Sequence, residues 1–153
     1  MQYVSPSELI NSDGLRIVLV HYMPSPWGQA AKAMMEYKGL SYKAAPWEGG
    51  AQNEEIVAWS GANSAPVVAW NKEKPIYRWD DILYLTERLA PKKPLIPAGR
   101  EDRVLTLGLC HEICGELGLG WNRRLSMFAP ALTSGAAPEG FKKMGEKYGF
   151  SPE

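Results

Sequence analysis

Cysteine and histidine are scarce. The 153 residues hold two cysteines, Cys110 and Cys114, and two histidines, His21 and His111. Two cysteines are too few for a disulfide scaffold, and a structural zinc site takes four closed ligands, so no metal is expected. Neither sign of charge dominates: Lys+Arg and Asp+Glu are 17 each. That balance gives no bulk attraction to nucleic acid or to an anionic membrane, so neither is an expected partner. No apolar run reaches the roughly 18 residues that a membrane helix needs. The segment from Met1 to Asp13 is polar and mixed, unlike a secretory leader, and a cytoplasmic location is the expectation. There is no internal repeat and no low-complexity tract.

What is present suffices for a core. Hydrophobic residues make up 45%, which excludes wholesale disorder. The length suits one to one-and-a-half domains. Residues 15–22 form a nearly continuous aliphatic run, the pattern of a buried central strand. Ser7 to Asn11 suits a short helical turn before it, and Asp13-Gly14 a turn. Met23-Pro24-Ser25-Pro26 ends the strand, and Pro26 is placed to open a helix from Trp27 to Tyr37. Gly39 suits its C-terminal cap. Further elements are a strand over Ser41 to Trp47, a Gly49-Gly50 loop and a short helix over Glu54 to Trp59. A strand over Ala65 to Trp70, a brief fourth strand over Pro75 to Arg78, and a helix over Trp79 to Ala90 follow.

The order is β-α-β-α-β-β-α. A parallel strand–helix–strand half, a hairpin and a last helix make up the thioredoxin-like layout. Pro91 to Pro97 reads as a linker. From Arg100, helical spacing runs through Val104, Leu107, Cys110 and Cys114 to Leu117, with Gly115, Gly118 and Gly120 weakening the end. Residues 129–138 read as a loop and Phe141 to Tyr148 as a last helix.

Tyr22-Met23-Pro24-Ser25-Pro26-Trp27-Gly28, with Lys38-Gly39-Leu40-Ser41-Tyr42 after the helix, resembles the start of glutathione transferases, above all the tau class and its bacterial relatives. Ala65-Pro66-Val67-Val68 resembles that family's strand with a cis-proline. Tyr84 to Pro91 resembles the end of its third helix, and Leu95-Ile96-Pro97 followed by Glu101-Asp102-Arg103 its entry into the helical domain. The match runs from about Leu15 to Leu125. It implies a thioredoxin-like domain over residues 1–90, a linker over 91–99, and part of an all-helical domain over 100–153. The family's second domain has five or more helices, so the expectation is a shortened one.

The resemblance also implies chemistry. Glutathione would be the co-substrate, its thiolate attacking a small electrophile, in a homodimer. Ser25 matches the catalytic serine by position; the alternative is a serine that only caps the helix before Pro26. Tyr22 is the second candidate, because other classes carry a catalytic tyrosine at that strand end; the alternative is a packed ring with its hydroxyl in water. Strand alternation sets His21 on the face opposite Tyr22, as a satisfied, buried histidine. Ala65 and Pro66, joined by a cis bond, would pair with the cysteinyl backbone.

In the family an acidic residue followed by Ser or Thr holds the γ-glutamyl end at a helix start. Here the stretch is Tyr77-Arg78-Trp79-Asp80-Asp81, with no Ser or Thr; Arg78 and Trp79 take those places, and Arg78, Trp79 and Asp80 are the candidate residues for this end of glutathione. Arg78 offers charge to a carboxylate and Asp80 or Asp81 meets the amine, or the two aspartates simply suit the helix dipole. Cys110, His111 and Cys114 offer three potential metal ligands but read as small buried residues, the two cysteines on one helix face. Trp121 to Arg124 form a basic, aromatic cluster, a solvated face or a contact for an acidic substrate or partner subunit. Three functions compete: a transferase, a non-catalytic binding module on the same fold, and a thiol–disulfide protein. The last is disfavoured by the absence of cysteine at the first helix.

Overall fold

Five of the six residues in Leu15–Val20, strand β1, are fully buried, as a strand covered on both faces requires. A computed structural model describes residues 2–22, 25–49, 51–135, 137 and 139–147 of the protein. Before β1 lies a short helix, α1 (Pro6–Ile10), with Pro6 at its first position and the Ser5 hydroxyl accepting from the Glu8 N–H at 3.1 Å. After β1 come α2 (Pro26–Lys38), β2 (Lys43–Trp47), α3 (Glu54–Ser60), β3 (Val67–Trp70) and α4 (Trp79–Leu89). β1 is the middle strand, parallel to β2 and antiparallel to β3.

The two sheet faces carry separate cores. Leu15, Ile17 and Leu19 pack with Ala31 and Met35 of α2 and Ile82 and Leu85 of α4. Val18 packs on the other face with Leu9 of α1, Ile56 of α3 and Val67. α2 starts at Pro26 and stops at Gly39, whose φ of 70° is the left-handed conformation that a helix terminus uses. Its amide donates to the Glu36 carbonyl at 3.0 Å, and the Leu40 amide to Met35 at 2.9 Å.

Lys38, the last residue of α2, has a fully buried side chain. Its Nζ meets Glu87 Oε1 at 2.6 Å and donates to the carbonyls of Ala90 and Lys93 at 3.1 and 2.8 Å. Glu87 in turn accepts from the Leu95 amide at 2.8 Å. One ion pair thus ties the ends of α2 and α4 to the segment that follows.

The expected fourth strand is reduced to one bridge, Ile76 with Val68, closed by hydrogen bonds of 2.7 and 2.8 Å. The next hydrogen-bonded pair would join Pro66 to Arg78, and Pro66 has no N–H to give. β1 also ends at Val20 rather than Tyr22. Pro24 and Gly50, which the sequence assigns to turns, lie outside the described residues.

The chain divides into two units, Met1–Ile96 and Pro97–Glu153. The second contains α5 (Arg100–Cys114), α6 (Leu119–Thr133) and α7 (Glu139–Lys147), with α6 packed on both neighbours. Two expectations need correction here. α5 stops at Cys114 and Leu117 is left-handed, with φ 59°. The stretch from Ala129 is not a loop, because α6 continues through Pro130 to Thr133. Leu and Ala around Pro130 favour the helix, and the Thr133 hydroxyl bonds back to the Ala129 carbonyl at 2.8 Å. Tyr148, the expected end of α7, lies outside the described residues.

Candidate functional site

Strand register brings the expected site residues to one end of the sheet. Val20 pairs with Trp47, and the His21 amide carries the ladder one step further, donating to the Trp47 carbonyl at 2.9 Å. Val18 pairs with Val67, so one more step sets Leu19 opposite Pro66. From the Val68–Ile76 bridge the chain runs on in the same direction to Arg78 and the start of α4, two residues further. The end of β1, the start of α2, the Ala65–Pro66 bond and the start of α4 therefore share this edge. Ligands of open α/β sheets bind at such strand ends.

Ser25 stands at the N-cap of α2 with extended backbone, φ −83° and ψ 131°, and its carbonyl accepts from the Gln29 amide at 2.8 Å. Its side chain makes no capping hydrogen bond. Capping is therefore a role of its backbone alone, which corrects the reading of Ser25 as a side-chain cap. The residue is 3% exposed. Gly28 makes room for this: a side chain there would approach Leu19 Cδ2 to 3.2 Å and Ser25 Cβ to 3.6 Å. A larger residue at position 28 would require the Leu19 side chain to shift by a few tenths of an ångström, so the first turn of α2 lies close against the end of β1.

Tyr22 is the opposite case, 89% exposed and held at φ 63°. A left-handed tyrosine is uncommon, because its Cβ crowds the backbone. The turn folds its ring back onto His21, with centroids 3.6 Å apart and planes at 28°. His21 and Tyr22 do not project to opposite faces as alternation requires, because both lie past the end of β1. His21 is partly exposed rather than buried. Its Nδ1 lies 2.9 Å from Glu48 Oε1.

The Ala65–Pro66 peptide bond is cis, with Pro66 buried and Ala65 partly so. Arg78 is the N-cap of α4, and Trp79 and Asp80 begin the helix. Arg78 and Asp80 engage one another: Nε meets Oδ1 at 3.1 Å and Nη2 meets Oδ2 at 2.9 Å. The hydrogen bonds from Arg78 hold the Asp80 carboxyl below the usual carboxylate range, helped by the Asp81 amide. A carboxylate arriving at Arg78 would compete with Asp80 for the guanidinium fork.

A cleft of about 370 Å³ lies beside the start of α3, lined by Pro6, Gln52, Asn53, Glu54, Glu55 and Ile56. It holds no hydroxyl or cation suited to a thiolate, and no expected site residue lines it. The sheet end is therefore the better candidate. Cys110 and Cys114 are both partly buried on α5; burial pushes the Cys114 thiol up, and Cys110 adds to the effect. Among the described residues no group of three or more His, Cys, Asp or Glu side chains could hold a metal. Trp121 to Arg124 lie on α6, with Arg124 5.9 Å from the centre of the Phe128 ring. No described helix is long and apolar enough to cross a membrane.

No family model and no curated protein matches the sequence. Solved structures do. A tau class glutathione S-transferase from mango, Mangifera indica, superposes over 89% of this chain with a TM-score of 0.59 at 15% identity. A glutathione S-transferase from Methylobacterium radiotolerans, in complex with glutathione sulfonate, superposes over 88% with a TM-score of 0.61 at 17% identity. A glutathione transferase homolog from Burkholderia with bound glutathione superposes over 80% with a TM-score of 0.57 at 13% identity. The chain has the glutathione-transferase fold. It spans 58%, 61% and 68% of those three chains in the same order. In glutathione-transferase terms, the first unit is the thioredoxin-like part and the second holds part of the helical one.

Proposed function

We propose that the chain binds glutathione at this end of the sheet and presents its thiolate to an electrophilic small molecule, as a cytoplasmic homodimer. The observation that supports the reading is the strand register, in which the end of β1, just before α2, lies beside the start of β3 and the cis Ala65–Pro66 bond that precedes it. A thiol attacks poorly near pH 7 unless its anion is stabilised. The N-terminus of α2, with its unpaired amides and dipole, supplies a positive field. The Ser25 hydroxyl, not used in capping, is the donor to the sulfur, and Tyr22 is the alternative. Ala65 offers its backbone to the cysteinyl part by strand-like pairing. Arg78, Trp79 and Asp80 take the γ-glutamyl end, where Asp80 would exchange Arg78 for the amine as the ligand carboxylate arrives. The domain reading stays with this proposal: residues 1–90, a linker over 91–99, and a partial helical domain over 100–153.

A second reading, a binding module without catalysis, draws on two observations. Ser25 is buried, and Arg78 is already paired with Asp80. Calorimetric titration with reduced glutathione and S-hexylglutathione tests both. Saturable binding to the first at millimolar levels or tighter, with conjugating activity lost about a hundredfold in a folded Ser25→Ala variant, supports the transferase. Binding with activity indifferent to Ser25 and Tyr22 supports the module. Failure to bind either ligand rejects glutathione chemistry for this chain.

A further inference from the structure

Glu48 and His21 form a carboxylate–imidazole pair at the same sheet end, in a setting built to hold it. Asn53, left-handed at φ 51°, accepts from the Glu48 amide through its Oδ1 at 2.9 Å. Its Nδ2 returns hydrogen bonds to the carbonyls of Glu48 and Ala51 at 3.0 and 2.9 Å. One side chain thereby fixes the backbone of Glu48, and Glu48 fixes the ring. The His21 amide is bonded to Trp47. Tyr22 stacks on one ring face, and Tyr3 meets the imidazole edge-on with centroids 5.3 Å apart. The ionisable groups around His21 are thus Glu48 after β2, Tyr3 from the first segment and Tyr22 from its own loop.

The face on which the ring lies is also set. Leu15, Ile17 and Leu19 point to the side packed by α2 and α4, and His21, although past the end of the strand, meets Tyr3 from that side. Tyr3 packs against the same cluster. The ring therefore lies on the α2 side, four residues before Ser25, a stretch that spans at most about 14 Å. With Nδ1–H donating to Glu48, the neutral imidazole keeps a lone pair on Nε2. The described residues give Nε2 no hydrogen bond, and 27% of the side chain is exposed.

We propose that His21, aimed by Glu48, is the base that takes the thiol proton at this site. The inference rests on the glutathione reading above. In the step, the S–H bond breaks, its electron pair stays on sulfur, and an N–H bond forms at Nε2. Glu48 offsets the charge of the imidazolium. When the thiolate adds to a conjugated alkene, an S–C bond forms and the π pair moves to the carbonyl oxygen. The imidazolium then returns the proton to the neighbouring carbon, so the net change is addition of the thiol with no oxidant consumed.

The test follows the bound thiolate of reduced glutathione by its ultraviolet absorbance across pH, with affinity measured by calorimetry on the same samples. His21→Gln should keep the affinity within about twofold at low pH, where the bound thiol is protonated, because the residue does not hold the peptide. It should move the bound thiol's titration up by about one pH unit, toward the ordinary thiol value near 8.5. Glu48→Gln, at a half-exposed position that folding tolerates, should move it the same way by less. Glutathione bound with an unchanged titration in folded His21→Gln, or in Glu48→Gln should the first variant not fold, overturns the proposal and leaves the glutathione reading standing. No binding by the unaltered chain overturns both.

Discussion

β1 buries five of its six residues, while α5, with fifteen, buries none. The two segments differ in apolar content, and also in what covers them. β1 lies between two layers, α2 with α4 on one face and α1 with α3 on the other. In its own unit α5 packs on α6, and Val104, Leu105, Leu109 and Ile113 are all at least half exposed. A helix with one covered face draws little stability from its apolar side chains, because burial rather than composition supplies the free energy. The first unit therefore carries the cooperative core that positions the candidate site.

The sharpest way to break this contrast is to cut into β1. Ile17 is fully buried among α2 and α4 side chains. Ile17→Ala should cost about 4 kcal/mol by removing buried methylenes and leaving a cavity. Urea unfolding followed by tryptophan fluorescence measures it; a loss under about 1 kcal/mol would mean that the sheet is not the core of the unit.

Lys38→Met comes next, at about 3 kcal/mol, because it strands Glu87 without its cation. The pair also has a pH signature. Burial works to raise the Glu87 carboxyl, but the hydrogen bonds from Lys38 and the Leu95 amide and the Lys38 charge outweigh it, and the net direction is down. A carboxyl lowered on folding stabilises fully above its unfolded value, about 4.3, and the contribution fades as pH falls through the lower folded value. The unaltered chain should thus lose more stability below pH ~4 than Lys38→Met does, read from unfolding midpoints across pH. Parallel curves would assign the acid response to other groups.

Ser5→Ala is smaller still, about 1 kcal/mol, since it removes the side-chain N-cap of a short helix that packs on β2 and α3. Thermal unfolding would register it as a modest drop in Tm, whereas no change would show that Pro6 and Leu9 hold α1 without the hydroxyl.

Much of the fold was legible because local chemistry and packing agree in the first unit. The aliphatic run of β1, Pro26 and Gly39 at the ends of α2, and the apolar stripe of α4 each point to the element that forms. The expected fourth strand failed on a pairing rule, the missing amide of Pro66, which no reading of residues 75–78 alone contains. α6 was undervalued because Ala129-Pro130 and the Gly, Ser and Ala beyond it resemble a loop when neighbours are ignored. The site was legible only as far as motif order reaches: Ser25, Ala65–Pro66 and the start of α4 follow from resemblance. The Glu48 partner of His21 and the Glu87 partner of Lys38 left no signal. Which charges meet across many intervening residues depends on register and packing, and neither composition nor periodicity records it. The mutual pairing of Arg78 and Asp80 was closer to hand, being two residues apart at a helix start.

The smallest expected effect completes the contrast. Leu109 lies on α5 with more than half of its surface exposed. Leu109→Ser removes an apolar side chain as large as that of Ile17, so a count of apolar residues assigns the two substitutions equal cost. Burial assigns them very different ones: Leu109→Ser should change unfolding stability by no more than about 0.5 kcal/mol. Its effect on association runs the other way, because exposed apolar side chains on one helix favour self-association. Sedimentation velocity on the same variant should show less oligomer than the unaltered chain. A loss of stability comparable with Ile17→Ala, without a change in association, would mean that α5 is covered within the monomer, and the contrast between the two units would fall.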